Sequence, residues 1–243
     1  MSKYVLITGA SHGIGKAAAE LFARNHWQVF LNCRSSAKDM TAYSHELSER
    51  FHVTCMPLVY DVSDDAQVEA MFREIHANCP GLDVLVNNAG VSYIGLFDAM
   101  SAQDWHRIID TNLGSVFSCC KRALPHMIGQ KSGKIINISS VWGSVGASCE
   151  VAYSASKGGV NALTKALAKE LAPSNIQVNA IACGAIDTRM NGCFSPEERL
   201  ALEEEIPAGR FGTPEETAAL IYDLATSHSY LTGQIISLDG GWC

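Results

Sequence analysis

The chain has 243 residues, 47% of them hydrophobic and 18% charged, which places it among ordinary globular proteins that bury a full core and excludes a disordered chain. A formal net charge of -7 argues against nucleic acid or an anionic membrane as the main partner, and no apolar run reaches membrane-spanning length. The amino-terminal apolar run ends at Gly9 without a cleavable signal pattern, so a cytoplasmic protein is expected.

Apolar runs at Tyr4–Ile7, Val29–Leu31, Val53–Val59, Val84–Val86, Ile135–Ile138, Ile176–Ile181 and Gln234–Leu238 are short and bounded by Gly, Asp or Asn, and predict seven buried strands. Helical patterns lie between most of them, at Lys16–Arg24, Lys38–Glu49, Asp65–His76, Ala102–Met127, Tyr153–Leu171 and Glu215–Ala225. The β-α alternation predicts an α/β fold: a doubly wound parallel seven-stranded sheet (a Rossmann fold) forming a single domain over 1–243. Residues 187–214 lack strand character and contain a helix start at Ser195-Pro196-Glu197-Glu198; between the last two strands, this segment is expected to form a substrate lid above the carboxyl edge of the sheet. The nine cysteines show no Cys-x-x-Cys pair and no clustering with histidine, so buried free thiols and no metal are expected.

The first strand runs into Thr8-Gly9-Ala10-Ser11-His12-Gly13-Ile14-Gly15 and then a helix. Glycines there let the backbone approach a pyrophosphate, whose charge is favoured by amides at a helix amino terminus. Further on, Ser140 ends a strand pattern, and Tyr153 and Lys157 share one face of a helix. A phenol, an ammonium and a hydroxyl together make a site that delivers a proton to a carbonyl. The Tyr-x-x-x-Lys spacing is weak alone and gains force only from its companions.

Thr8-Gly9-x-x-x-Gly13-x-Gly15, Asn87-Asn88-Ala89-Gly90, Asn112, Ser140 and Tyr153-x-x-x-Lys157 together resemble the short-chain dehydrogenase/reductases along the whole chain. The resemblance is closest to the bacterial 3-oxoacyl-[acyl-carrier-protein] reductases, from Pro207-Ala-Gly-Arg-Phe-Gly-Thr-Pro-Glu-Glu and the ending Leu238-Asp-Gly-Gly. It implies an NADPH-dependent reductase that turns a ketone, most simply a 3-oxoacyl thioester, into a secondary alcohol in fatty acid synthesis, assembled as a homotetramer. On this resemblance Tyr153 is the general acid, Ser140 holds the carbonyl oxygen, Lys157 binds the nicotinamide ribose and, with the oxidised ring, lowers the Tyr153 pKa, and Asn112 fixes a water in a proton path to Lys157.

NADP(H) is expected to lie along Gly9, Ser11, His12, Gly13, Ile14, Gly15, Arg34, Ser35, Asp61, Val62, Asn88, Ala89, Gly90, Tyr153, Lys157, Ile186 and Thr188. NADPH is preferred over NADH because Asn32-Cys33-Arg34-Ser35-Ser36 carries a guanidinium and no acid, which suits a 2′-phosphate. His12 stands where NADP-preferring relatives usually have Arg. Asn87 and Asn88 serve either as backbone ties or as cofactor contacts, and Asp61 either meets the adenine or caps a helix. Cys183 replaces the usual proline beside the nicotinamide amide site and is a candidate oxidation-sensitive thiol.

Glu150 departs from the neutral residue of many acyl-carrier reductases, and beside Trp142 it suits a cationic substrate. One basic carrier-docking position is replaced by Ser174-Asn175, while Lys131 retains the other. The stretch from Trp142 to Val151 also resembles family members proposed to reduce an aminopentanone-modified lysine of elongation factor P, which is the alternative substrate. From another class, a non-catalytic NADP-binding redox sensor would lack Tyr153 or Lys157, and both are present.

Overall fold

A strand covered by helices on both faces has no solvent side, so its sequence is apolar throughout instead of alternating. The computed structural model, which describes residues 2–192 and 194–243, has seven strands, the inner ones largely buried and the edge strands β3 and β7 partly exposed: β1 Tyr4–Ile7, β2 Gln28–Cys33, β3 Cys55–Val59, β4 Val84–Asn87, β5 Gly133–Ser140, β6 Ile176–Cys183 and β7 Ile235–Leu238. All pair in parallel, in the order β3-β2-β1-β4-β5-β6-β7. The winding direction reverses between β1 and β4, which opens a crevice at the carboxyl ends of these strands.

The main helices are α1 Gly13–Arg24, α2 Ala37–Phe51, α3 Asp65–Asn78, α4 Ala102–Ile109, α5 Ser115–Gln130, the short α6 Trp142–Val145, α7 Val151–Leu171, α8 Pro196–Glu205 and α9 Pro214–Thr226. Successive strand residues point to opposite faces, so β1 supplies both cores. Val5 and Ile7 join Phe22, Leu31, Leu47 and Ile221 under α1, α2 and α9. Leu6 joins Leu58, Met71, Ile75 and Val160 under α3, α5 and α7. Among the described residues no helix is long and apolar enough to cross a membrane.

Two regions depart from the simple pattern. The helix expected over 102–127 is broken by a π-helical turn at Asp110–Gly114. The cause is Asn112, whose Oδ1 accepts from the Val91 amide (2.8 Å) while its Nδ2 donates to the Val91 carbonyl (2.9 Å) and to Ser156 Oγ (3.0 Å). This grip draws the residue inward, and the wider turn accommodates it. The second region is 187–214, whose ends are pinned together where the Asp187 amide donates to Gly212 O (2.8 Å) and the Gly212 amide donates to Ala185 O (2.9 Å). Between them α8 opens with a capping box of Ser195 and Glu198.

The turn from β1 into α1 is packed too closely for any side chain at Gly15. A Cβ there would lie 2.5 Å from Gly9 O and 2.6 Å from Asn88 Nδ2. Gly15→Ala is therefore expected to destabilise the fold by about 1–3 kcal/mol, read as a lower urea midpoint at unchanged m. An unchanged midpoint would contradict this packing.

Candidate active site

The carboxyl ends of β1 and β4 are locked together before any ligand is considered. Thr8 Oγ1 accepts from the amides of Asn88 (2.9 Å) and Ala89 (3.0 Å), and Asn88 Nδ2 donates to the carbonyls of Thr8 (2.9 Å) and Gly9 (3.0 Å). Asn87 Nδ2 donates to Asn137 Oδ1 (2.8 Å) on β5. Both asparagines therefore spend their amides tying strands together, and Asn32 does the same from β2, donating to the carbonyls of Leu58 and Tyr60.

This tie leaves α1 pointing its amino terminus into the crevice. His12, at the N-cap, makes no side-chain cap and instead hydrogen-bonds Ser11 Oγ through Nδ1 (2.8 Å), and the first turn carries no acid. Burial and then the nearby Arg189 guanidinium lower the His12 pKa. An uncapped helix end without an acid, flanked by glycines that no side chain could replace, fits a pyrophosphate.

The adjacent ends of β5 and α7 hold the titratable groups. Ser139 Oγ turns into the fold, donating to Asn161 Oδ1 (2.6 Å) and Lys157 O (3.3 Å). Ser140 Oγ faces the crevice, accepting from the Trp142 amide (3.2 Å), with the Tyr153 phenol near enough for Ser140 to lower its pKa. Of this serine pair, then, Ser140 is the one beside Tyr153. Lys157 sits one helical turn from Tyr153, its Nζ 5.6 Å from the phenol ring centre and donating to Ile138 O (2.7 Å).

Burial dominates the protonation of this group. It raises the Tyr153 phenol well above its ordinary value, with Cys183 and Glu150 adding to the rise and the Ser140 hydrogen bond opposing it. Burial also lowers Lys157 to about 8, partly offset by Cys183. The Lys157 ammonium is engaged by the Ile138 carbonyl and is itself weakened by burial. The Cys183 thiol is pushed up to about 12, again by burial, which makes it a poor nucleophile and argues against the oxidation-sensitive role.

The crevice has a volume of about 640 Å³, and Gly9, His12, Gly13, Ile14, Asn88, Ala89, Gly90, Ser140, Tyr153, Lys157, Ile186 and Thr188 all line it. The remaining predicted site residues lie off its wall. Ser11 is taken up with His12, Gly15 is buried in the turn, and Val62 packs into the core with Leu58. Arg34 and Ser35 are exposed just beyond β2, and Asp61, beyond β3, accepts from the amide (2.9 Å) and hydroxyl (2.7 Å) of Ser63. The cap of α3 is Asp64, so Asp61 is not a helix cap. Asn112 stands behind Gly90, with its amide given to Val91 and Ser156.

Beyond Tyr153 the wall changes character. Glu150 accepts from Ser92 Oγ (2.8 Å), and Trp142 packs edge-on against Trp242 with ring centres 4.9 Å apart. Leu202 and Glu205 of α8 close the mouth. The sequence pattern pointed to Trp142, Glu150 and the lid but missed Ser92 and Trp242. An aromatic residue immediately after the final Gly-Gly was the available signal for the latter.

A crevice at the switch point, a glycine-lined helix end and a buried Tyr-Lys-Ser group define an oxidoreductase acting on CH–OH and C=O groups. The chain belongs to the short chain dehydrogenase family, which it matches over residues 3–199. It is 39% identical to the uncharacterized oxidoreductase YmfI of Bacillus subtilis over 243 residues, covering 100% of this chain and 99% of that one. It is also 40% identical to the 3-oxoacyl-[acyl-carrier-protein] reductase FabG of Staphylococcus aureus over 242 residues (99% and 98% covered) and 41% identical to that of Thermotoga maritima over 240 residues (98% and 97% covered).

A lysine that loses its proton near pH 8 beside a phenol that keeps its own makes the alkaline limb of activity diagnostic. The kcat/KM for the nicotinamide cofactor in the reductive direction is expected to fall as pH rises through about 8. A flat profile from about pH 6 to 10 would exclude Lys157 as the controlling group.

Proposed function

We propose that this protein is an NADPH-dependent reductase that converts a ketone to a secondary alcohol, with a 3-oxoacyl thioester as substrate. The observation that carries the reading is the half-buried phenol of Tyr153, beside Ser140 in the crevice and one turn from Lys157. A nicotinamide, when bound, supplies hydride to the carbonyl carbon. Tyr153 gives its phenolic proton to the carbonyl oxygen, and its raised pKa keeps that proton in place at neutral pH. Ser140 Oγ orients the same oxygen. Lys157 holds the cofactor ribose, and its charge favours the phenolate left behind. Asn112, fixed by Val91 and Ser156, positions its own peptide for a water path to Lys157.

Arg34 and Ser35, exposed at the end of β2 with no acid beside them in sequence, support a 2′-phosphate and hence NADPH. The printed names of the FabG relatives support the thioester. Half-exposed apolar side chains Phe117 and Ile128 on α5 support a homotetramer, which light scattering would test, and a cytoplasmic location agrees with the soluble chemistry proposed.

One observation favours a second substrate reading, an aminopentanone on a lysine of elongation factor P. Glu150 presents a carboxylate in the pocket, keyed by Ser92, next to paired tryptophan rings. Such a wall suits an ammonium better than an acidic carrier. Lys131, exposed just beyond α5, is the one basic position left for an acidic carrier.

Tyr153→Phe is expected to lower kcat by about 10²–10⁴-fold while NADPH still binds, measured by NADPH oxidation and by cofactor fluorescence. Retained turnover would refute the proton-donor assignment. Glu150→Gln, assayed with acetoacetyl-coenzyme A and with an aminopentanone, decides between the substrates. A selective loss of about tenfold on the amine supports the second reading, and equal activity on both discards it.

A further inference from the structure

The last five residues fold back on the sheet instead of trailing from it. Beyond β7, the Asp239 carboxylate accepts from the amides of Gly241 (2.9 Å) and Cys243 (3.2 Å), and Gly240 and Gly241 adopt φ of 68° and 85°. Only glycine takes two successive positive φ values without strain, so this turn is built into the Asp-Gly-Gly sequence. The Gly240 carbonyl then accepts from the Ala208 amide (3.0 Å), fastening the turn to the base of the lid segment. The consequence is that Trp242, one residue from the end of the chain, is half-buried in the crevice against Trp142.

We propose that Trp242 is a specificity-determining residue, whose ring forms the wall against which the substrate's methylene chain next to the ketone packs. The inference rests on the reductase reading of the site and adds to it a residue that the catalytic group does not include. Two features argue for a binding role over simple filling. The ring lines the same crevice as Tyr153 and Glu150 and packs against Trp142, ring centres 4.9 Å apart. It is also held by a dedicated turn, in which Gly240 and Gly241 take positive φ and the Asp239 carboxylate accepts from the amides of Gly241 and Cys243. A rigid aromatic face supplies contact area at little entropic cost. Because the contact is the same before and during hydride transfer, it contributes to binding of substrate and transition state equally.

The test compares Trp242→Ala, Trp242→Phe and Asp239→Ala with the natural chain, using acetoacetyl-coenzyme A and an aminopentanone. Trp242→Ala is expected to raise the ketone KM about tenfold with little change in kcat or in the KM for NADPH. Trp242→Phe should recover most of the loss, and Asp239→Ala, which removes both acceptors that hold the turn, should reproduce it. Ketone KM values unchanged in Trp242→Ala, or equal losses in the Phe and Ala variants, would overturn the proposal. Ketone binding is also read without turnover, as quenching of tryptophan fluorescence in the NADP+ complex, which cannot donate hydride. A natural chain that binds ketone without reducing it would defeat the reductase reading but not this one, whereas quenching retained in full by Trp242→Phe and Trp242→Ala would defeat this one alone.

Discussion

Lys157 places a cation where water is nearly excluded, and much of the site is arranged around that fact. An ammonium in a low-dielectric interior is stable only if its hydrogens find partners. Here Nζ donates to the Ile138 carbonyl, which fixes α7 against the end of β5. The same packing places Ser140 beside Tyr153 and turns Ser139 away toward Asn161. Burial thus sets both the geometry and the protonation of the group. The phenol is held protonated, and the ammonium is weakened enough to titrate near pH 8.

A second tie supports the first from behind. Asn112 reads both the amide and the carbonyl of Val91, as a neighbouring strand would, and reaches Ser156 on α7. The loop after β4, the π-helical turn and α7 are thereby joined through one side chain. Ser156 in turn donates to Tyr153 O (2.7 Å), so the tie ends on the backbone of the proposed acid itself. Opposite this, the Thr8–Asn88 lock holds the glycine turn. The proposed cofactor and proton-delivery halves of the crevice are therefore set by separate polar clamps on one sheet.

The strands were legible because fully buried parallel strands are written as unbroken apolar runs, and β1 appears with the boundaries its sequence implies. The Tyr153 and Lys157 pair was legible because helical periodicity places residues four apart on one face. Other features were not. Nothing in residues 102–127 marks a π-helical turn, since its cause, Val91, lies far away in sequence. The roles of Ser139 and Ser140 follow from strand alternation only once the face covered by α7 is known. The position of Trp242 depends on a turn whose glycines were read as a family ending and not as a device that returns the chain to the crevice. Periodicity also says nothing of dielectric, so the direction of the Tyr153 shift had to come from the packed structure.

The proposed role of Tyr153 requires its phenol to stand protonated in the crevice, kept so by burial. Ultraviolet difference titration of the natural chain against Tyr153→Phe isolates its ionisation by phenolate absorbance. The account predicts no phenolate assignable to Tyr153 below about pH 10, above the ordinary tyrosine range. A phenolate that forms near neutral pH would contradict it.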